Sequence, residues 1–308
     1  MYLSETNGYW YVRRTVEDGK ETVAKLGQHD DEPAIYLPEL YDDKAEHVLA
    51  DLPDQSIECI LTDPPFGVGM KIGQRGVGVA AEGKHGKDHA QVHNHSSQEF
   101  LDGLAAEFNR VLTDGGHCYV FCNYKCYPEF KEEFESEFNL SQVLVWDKTA
   151  PGSGPPNTWL PAHEWILHLK KGQAEIYGTQ GSNVLHYKRT RYVDTHKIHP
   201  TQKPRRLLET LIEKSTRPGD VVLDPFGGSY AGARAAMRTF RRSLSCELDP
   251  DLHRNAVSLT RKQLYDDPEY GVDWTDLSGL RIEQTDRLPR DGDPAETGQL
   301  SGGSEGCT

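Results

Sequence analysis

Short apolar runs alternate with amphipathic stretches along most of the chain, and this alternation constrains the fold more than any other feature. Ser56–Thr62 (SIECILT) is short and almost continuously apolar, the pattern of a strand buried on both faces. Gln98–Leu112 carries Phe100, Leu101, Leu104, Phe108 and Val111 at helical spacing, and His117–Cys122 is a second strand. Pro128–Phe138 follows as a helix, then Gln142–Trp146 and His163–Leu169 as strands. A helix over Pro204–Lys214, a strand over Asp220–Leu223, a helix over Ala231–Thr239 and a strand over Ser243–Cys246 complete the series. Strands and helices in this order predict an α/β domain over residues 35–265, with helices on both faces of a mainly parallel sheet. Ahead of it, Tyr9–Val12 and Thr22–Ala24 flank Glu17-Asp18-Gly19-Lys20, which reads as an accessory β-hairpin within residues 1–34.

Charge is distributed unevenly. The net charge of −14 over 308 residues would argue against a polyanionic partner. However, residues 1–47 hold five basic and eleven acidic side chains and residues 264–308 hold three and eleven, whereas residues 48–263 balance at 26 of each. Within that neutral middle, Lys188, Arg189, Arg191, Lys197, Lys203, Arg205 and Arg206 face only Asp194 over residues 186–206, a local +6 that supplies the field a polyanion needs. Residues 266–308 are acidic, rich in Gly and Pro and poor in aliphatics, and read as a disordered tail. Residues 67–97, with seven glycines between Gly67 and Asn94, read as a mobile loop.

No window approaches 18 consecutive apolar residues and charges are scattered through the first twenty, so neither a membrane span nor a secretory signal is expected and the protein reads as cytoplasmic. The six cysteines include no C-x-x-C pair, and most lie in apolar runs as small hydrophobes rather than as disulfides or zinc ligands. His85, His89, His93 and His95 lie close together but on glycine-rich flanks with no cysteine beside them, so they read as solvated or phosphate-contacting imidazoles and no metal is assigned.

Two strand ends carry chemistry. Asp63-Pro64-Pro65-Phe66 directly follows SIECILT and so falls in the crevice beyond the carboxyl ends of the strands. Its prolines fix φ and remove two donors, building an acceptor-only corner beside a carboxylate and an aromatic ring, suited to an exocyclic amine on a planar base. An ordinary turn after a strand is the competing reading of the tetrapeptide alone. Further on, Val221–Asp224 runs into Pro225-Phe226-Gly227-Gly228-Ser229 and then a helix, a glycine turn through which backbone approaches a cofactor closely. Glu247 ends the next strand 23 residues after Asp224, where an acid can accept from ribose hydroxyls.

With His199-Pro200-Thr201-Gln202-Lys203-Pro204 added, the chain resembles the amino-group DNA methyltransferases of the β arrangement, in which the catalytic motif precedes the cofactor motif. Asp63–Phe66 is similar to the family's D-P-P-Y/F, His199–Pro204 to its H-P-T-Q-K-P and Asp224–Ser229 to its D-P-F-x-G-S. Smaller matches include Leu52–Ser56, Leu112–Gly116, Trp146-Asp147-Lys148 and His163–Leu167. The chain departs from the pattern at Tyr230-Ala231, where a glycine and a hydroxyl residue are usual, and at Pro38-Glu39, where Gly-Asp is usual.

The resemblance implies a Rossmann-like methyltransferase fold, a seven-stranded sheet with one antiparallel strand, binding S-adenosylmethionine. It places Asp224, Phe226, Gly227, Gly228 and Ser229 at the methionine and ribose end and Glu247 on the ribose. Thr201, Gln202 and Lys203 close the pocket. Asp63, Pro64, Pro65 and Phe66 become the catalytic set, acting on a base flipped out of duplex DNA. Lys188, Arg189, Arg191 and Lys197, in the candidate target-recognition region at 172–198, become phosphate contacts. An Asp in first place resembles the adenine-N6 enzymes more than the cytosine-N4 ones. Cytosine-N4 transfer, an RNA methyltransferase and a non-catalytic DNA- or cofactor-binding protein are the alternatives. A homodimer and a cognate restriction enzyme are compatible partners.

Overall fold

The computed structural model describes residues 38–65, 103–152, 156–190 and 202–265, together with strands at 2–6, 9–16, 19–27, 34–36 and 281–283. In chain order the strands are β1 (Tyr2–Thr6), β2 (Tyr9–Val16), β3 (Gly19–Gly27), β4 (Ala34–Tyr36), β5 (Glu39–Asp42), β6 (Ile57–Thr62), β7 (Leu112–Cys122), β8 (Asn139–Asp147), β9 (His163–Lys170), β10 (Val184–His186), β11 (Val221–Asp224), β12 (Arg242–Glu247) and β13 (Arg281–Glu283). The helices are α1 (Ala45–Asp51), α2 (Leu104–Val111), α3 (Tyr127–Glu135), α4 (Arg205–Ser215), α5 (Ala231–Arg238) and α6 (Pro250–Tyr265).

The central sheet has eight strands in the order β10-β8-β9-β7-β6-β11-β12-β5. Seven of them run parallel, and only β9 opposes its neighbours β7 and β8. The sheet thus exceeds the expected seven strands by one: β10 lies inside the segment read as a target-recognition region. Three residues flanked by polar chain carry too little pattern to be read as a strand. The N-terminal hairpin gains a third strand, β1, antiparallel to β2, while Val12 pairs with Ala24 across β2 and β3. The acidic tail contributes β13, which runs parallel to β4 with Ile282 opposite Ile35; a single apolar residue in an acidic stretch gave no sign of it. The rest of the tail and the glycine- and histidine-rich loop lie outside the described residues.

Period-two alternation sorts each central strand between two cores. On one face Ile60, Cys118, Val120 and Leu223 pack with Leu49, Phe108, Phe130 and Phe134 from α1, α2 and α3. On the other, Cys59, Leu61, Tyr119, Phe121 and Val222 meet Leu207, Leu211 and Ala235 from α4 and α5. Five cysteines are buried as free thiols, consistent with their reading as small hydrophobes. In α2 the apolar residues Leu104, Ala105, Phe108 and Val111 recur on one stripe and are all buried. No helix among the described residues is long and apolar enough to cross a membrane.

This topology fixes the site. The parallel strands bring Asp42, Thr62, Cys122, Asp147, Asp224 and Glu247 to a common carboxyl edge, and the antiparallel β9 delivers its first residues, His163 and Glu164, to the same edge. Both halves of the motif set, which begin 161 residues apart at Asp63 and Asp224, become neighbours because β6 and β11 pair directly.

Candidate active site

Asp63 follows β6 by one residue, between the buried Thr62 and the buried Pro64. Its Oδ2 lies 2.5 Å from Lys203 Nζ. Lys203 is itself 9% exposed. The ammonium sits 4.9 Å from the centre of the Phe121 ring and 3.1 Å from Glu164 Oε2. Glu164 Oε1 in turn is 2.6 Å from Lys148 Nζ. Four charges therefore run in a line from the end of β6 to the start of the β8–β9 turn.

The line is asymmetric. Glu164 touches two ammonium groups, whose attraction overcomes burial and holds its carboxyl below the ordinary value. Burial opposes the charge of Lys203 as well, but its two carboxylate partners keep it protonated and raise its pKa. Asp63 has one cation and a like charge nearby, so burial wins and its pKa is raised in spite of Lys203. Asp63 Oδ1 is buried and has no hydrogen-bond partner among the described residues. A buried acceptor without a donor is costly, and a ligand that donates there relieves the cost.

Asp224, at the end of β11, is buried beside it. Its Oδ1 accepts from Thr62 Oγ1 at 2.9 Å and from the Phe226 N–H at 3.2 Å. Burial pushes its pKa up to about 7 against those bonds, and the charges of Asp63 and Glu247 add to the rise. The closeness of α5 explains a glycine that sequence reasoning passed over: a Cβ on Gly232 would stand 3.1 Å from Asp224 Oδ2.

The glycine turn is shaped from beneath by Tyr230. A Cβ on Gly227 would meet the Tyr230 ring at 2.5 Å, while one on Gly228, whose φ is +52°, would meet nothing within 4 Å. Gly227 is thus required by internal packing, and Gly228 by its left-handed backbone, with open space above it. Glu247 fastens the turn: its Oε2 accepts from the Gly228 N–H at 2.9 Å and its Oε1 from the Asp249 N–H at 2.9 Å. Tyr230, one of the departures from the family pattern, is fully buried with φ +56°. Its hydroxyl donates to the Tyr41 carbonyl and lies 2.6 Å from His253 Nδ1, tying the turn to β5 and α6.

Several expectations shift in this geometry. Lys203, expected to close a cofactor pocket, directs its ammonium onto Asp63. Pro38-Glu39, the departure from the family's Gly-Asp, leads into β5 at the amino edge of the sheet; it is Asp42, paired with Glu247, that reaches the carboxyl edge. The +6 stripe is partly neutralised: besides Lys203, Arg205 and Arg206 pair with Glu209, which also binds Arg238. Lys188 and Arg189 stand exposed. Gln202 is half-buried at the approach to α4 and Ser229 is buried, its carbonyl accepting from Arg234. Phe66, Arg191, Lys197 and Thr201 lie outside the described residues. Lys148 and Glu164 were matched in sequence only as parts of smaller motifs; their opposite charges on either side of one hairpin were the available signal.

A family model described as DNA methylase, for N6 and N4 methyltransferases, matches residues 57–258. The chain belongs to this DNA methylase family. Among its relatives, the DNA adenine methyltransferase YhdJ of Escherichia coli (strain K12) is 25% identical over 239 residues, 66% of this chain and 76% of YhdJ. Among solved structures, the M1.HpyAVI–SAM complex is 21% identical with a TM-score of 0.54, covering 73% of this chain and all of that one. The PvuII DNA methyltransferase, described as cytosine-N4-specific, is 18% identical with a TM-score of 0.54, covering 76% of this chain and 95% of that one. The methylase fold is therefore the eight-stranded sheet described above, and the family takes in both amino-group chemistries.

Proposed function

We propose that this DNA methylase transfers a methyl group from S-adenosylmethionine to the exocyclic N6 of an adenine flipped out of duplex DNA. The observation that carries the reading is Asp63 Oδ1, a buried carboxylate oxygen with no donor, beside the proline corner and on the sheet edge that gathers the family's motifs.

The residues fit the cofactor. Gly228 leaves open space above the turn. Asp224 and Glu247 carry carboxyls raised by burial and by repulsion from neighbouring acids, a surplus of negative charge that a cationic ligand relieves. Asp224, Phe226, Gly227, Gly228 and Ser229 would hold the methionine end, Glu247 the ribose, and Gln202 with Thr201 the wall by α4. When bound, S-adenosylmethionine supplies an electrophilic methyl group.

The chain's own groups act on the base. The lone pair of an exocyclic amine is delocalised into the ring and is a poor nucleophile. Asp63 Oδ1 accepts one amine hydrogen and a carbonyl of Pro64 or Pro65 the other, which favours a pyramidal nitrogen with its lone pair localised. Lys203 holds Oδ2 and so fixes the direction of Oδ1. Asp63 also provides a base for the proton lost from nitrogen. Phe66 is assigned the face of the flipped ring and Lys188, Arg189, Arg191 and Lys197 the phosphates.

The deciding experiment incubates purified protein with methyl-labelled S-adenosylmethionine and unmethylated duplex DNA, with RNA in parallel, followed by nucleoside analysis. N6-methyladenine in DNA is expected. Label on cytosine N4, label confined to RNA, or no label in either polymer would each overturn the assignment.

A further inference from the structure

The β8–β9 hairpin does not end with the sheet. Beyond its last ladder pair, Asp147 with His163, the two chains stay joined: the Lys148 N–H donates to the Ala162 carbonyl at 2.8 Å and the Gly152 N–H to the Pro161 carbonyl at 2.7 Å. Pro151, Pro156 and Pro161 stiffen this arm, and Asn157 turns it with φ +63°. The arm leaves the same edge that carries Asp63, and its base is the Lys148 end of the charge line.

At the outer end of the arm Trp159 is 100% exposed and Leu160 45%. A tryptophan side chain is large and apolar enough that leaving it wholly in water gives up stability the fold could have used. Of the large apolar residues exposed among the described residues, Tyr124, Trp159, Leu160 and Leu248 all sit on segments leaving the carboxyl edge, and only Ile176 does not. Cations accompany them. Arg189 Nη2 donates to the Pro151 carbonyl at 3.0 Å, so an exposed guanidinium is fastened to the arm that bears the indole; Lys188 adjoins it. Lys125 Nζ lies 5.9 Å from the centre of the Tyr124 ring. A protein-docking face would present a contiguous apolar patch with a polar rim. Here one flat aromatic projects from an arm to which a guanidinium is fastened, the combination that suits stacked bases and phosphates.

We propose that Trp159 is a DNA-stacking side chain that enters the duplex beside the target nucleotide, while Arg189 and Lys188 take the adjoining phosphates. By occupying the gap left by an extruded base, the indole holds the duplex open. The inference rests on the base-flipping reading above, and the arm supplies what the Asp63 pocket lacks, a contact with the strand from which the base departs.

The test uses the full chain, its Trp159→Ala and Trp159→Phe variants, and unmethylated mixed-sequence duplex DNA. Wild-type tryptophan emission should be quenched on titration with the duplex, and the Trp159→Phe variant should lack that component. Trp159→Ala should raise the KM for DNA roughly tenfold or more, keep affinity for S-adenosylmethionine within about twofold, and be partly rescued by phenylalanine. Equal KM and equal quenching in wild type and both variants would overturn the proposal. So would sedimentation showing that Trp159→Ala abolishes self-association in the absence of DNA. Should wild type transfer no methyl group to DNA, the methyltransfer reading fails while the quenching still decides: a Trp159-dependent signal with duplex supports stacking, and its absence overturns it.

Discussion

Lys203 Nζ bridges two carboxylates, Asp63 Oδ2 at 2.5 Å and Glu164 Oε2 at 3.1 Å, so one buried cation serves both the end of β6 and the start of β9. Its partners compete for it, and Glu164, with Lys148 as a second cation, is the better compensated. Asp63 is left with a raised pKa and a free oxygen, which is the state of a carboxylate poised to accept hydrogen bonds.

The acid limb of kcat should therefore lie above the ordinary range of an aspartate, because Asp63 must be ionised to accept from the amine. Lys203→Met removes the cation and should move the limb to higher pH by about one unit or more. Glu164→Gln removes the like charge and should move it lower. Asp63→Ala should abolish turnover while leaving S-adenosylmethionine affinity within about twofold. Rate profiles from pH 5 to 9 for the wild type, Lys203→Met and Glu164→Gln decide the matter, with Asp63→Ala as the inactive control. A limb that both neutral variants leave in place would remove Asp63 from the chemistry.

Cofactor affinity should carry its own pH dependence. Asp224 is pushed up to about 7 mainly by burial, so below that pH much of it is neutral and unable to compensate a cation. S-adenosylmethionine, with a net positive charge, favours the ionised form. Its dissociation constant should weaken by ~5- to 10-fold from pH 8 to pH 6, and binding near pH 7 should release a proton. Calorimetry in buffers of differing ionisation enthalpy measures both, and Asp224→Asn should flatten the profile.

Legibility in the sequence followed the physics of each feature. Strands such as Ile57–Thr62 and helices such as Leu104–Val111 declare themselves because their burial imposes period two or 3.6. The parallel pairing of β6 with β11 follows from topology, which is why Asp63 and Asp224, 161 residues apart, read as parts of one crevice. What stayed hidden depends on side-chain reach across that edge. A lysine in a motif says nothing about whether its ammonium turns to a cofactor or, as Lys203 does, to Asp63. Glu164 and Lys148 look like ordinary hairpin charges until β9, running against its neighbours, brings them to the site. Tyr230 looked like a departure from a binding pattern and proves to be a packing residue, visible only once the ring is seen beneath Gly227.

That packing makes a prediction about the glycine turn. Gly227→Ala would place a Cβ 2.5 Å from the Tyr230 ring, and neither the ring nor the turn can move freely, since Tyr230 is fully buried and its hydroxyl is held by Tyr41 and His253. The variant should lose cofactor binding at least ~10-fold and melt at lower temperature. Tyr230→Phe, which only removes the hydroxyl, should cost about 1 kcal/mol and leave turnover largely intact. In a Tyr230→Ala background, Gly227→Ala should cost little more than Tyr230→Ala alone. A double-mutant cycle read by calorimetric melting shows whether the two positions are coupled in this way.

Far from the crevice, His117 and His168 predict how the fold responds to acid. His117 Nε2 donates to the Glu175 carbonyl at 3.0 Å, which leaves Nδ1 to accept from His168 Nε2 at 3.0 Å, and both rings stack with Tyr119 in the core. The arrangement requires His117 Nδ1 to be unprotonated, and burial favours the neutral form of both imidazoles. Burial lowers His117 to about 4 and His168 to about 3. An unfolded chain takes up these protons near pH 6.5, well before the native state does. The stability due to the neutral pair is therefore fully present above about pH 6.5 and is lost progressively as pH falls toward 4. Each tenfold difference in proton affinity between the unfolded and native chains is worth ~1.4 kcal/mol, so the loss should reach a few kcal/mol and depress Tm by several degrees over that window. Replacing both with leucine should flatten the acid side of the Tm profile, even if it lowers Tm at neutral pH. A wild-type Tm that holds constant from pH 6.5 to 4.5 would show that the pair remains protonatable in the native core.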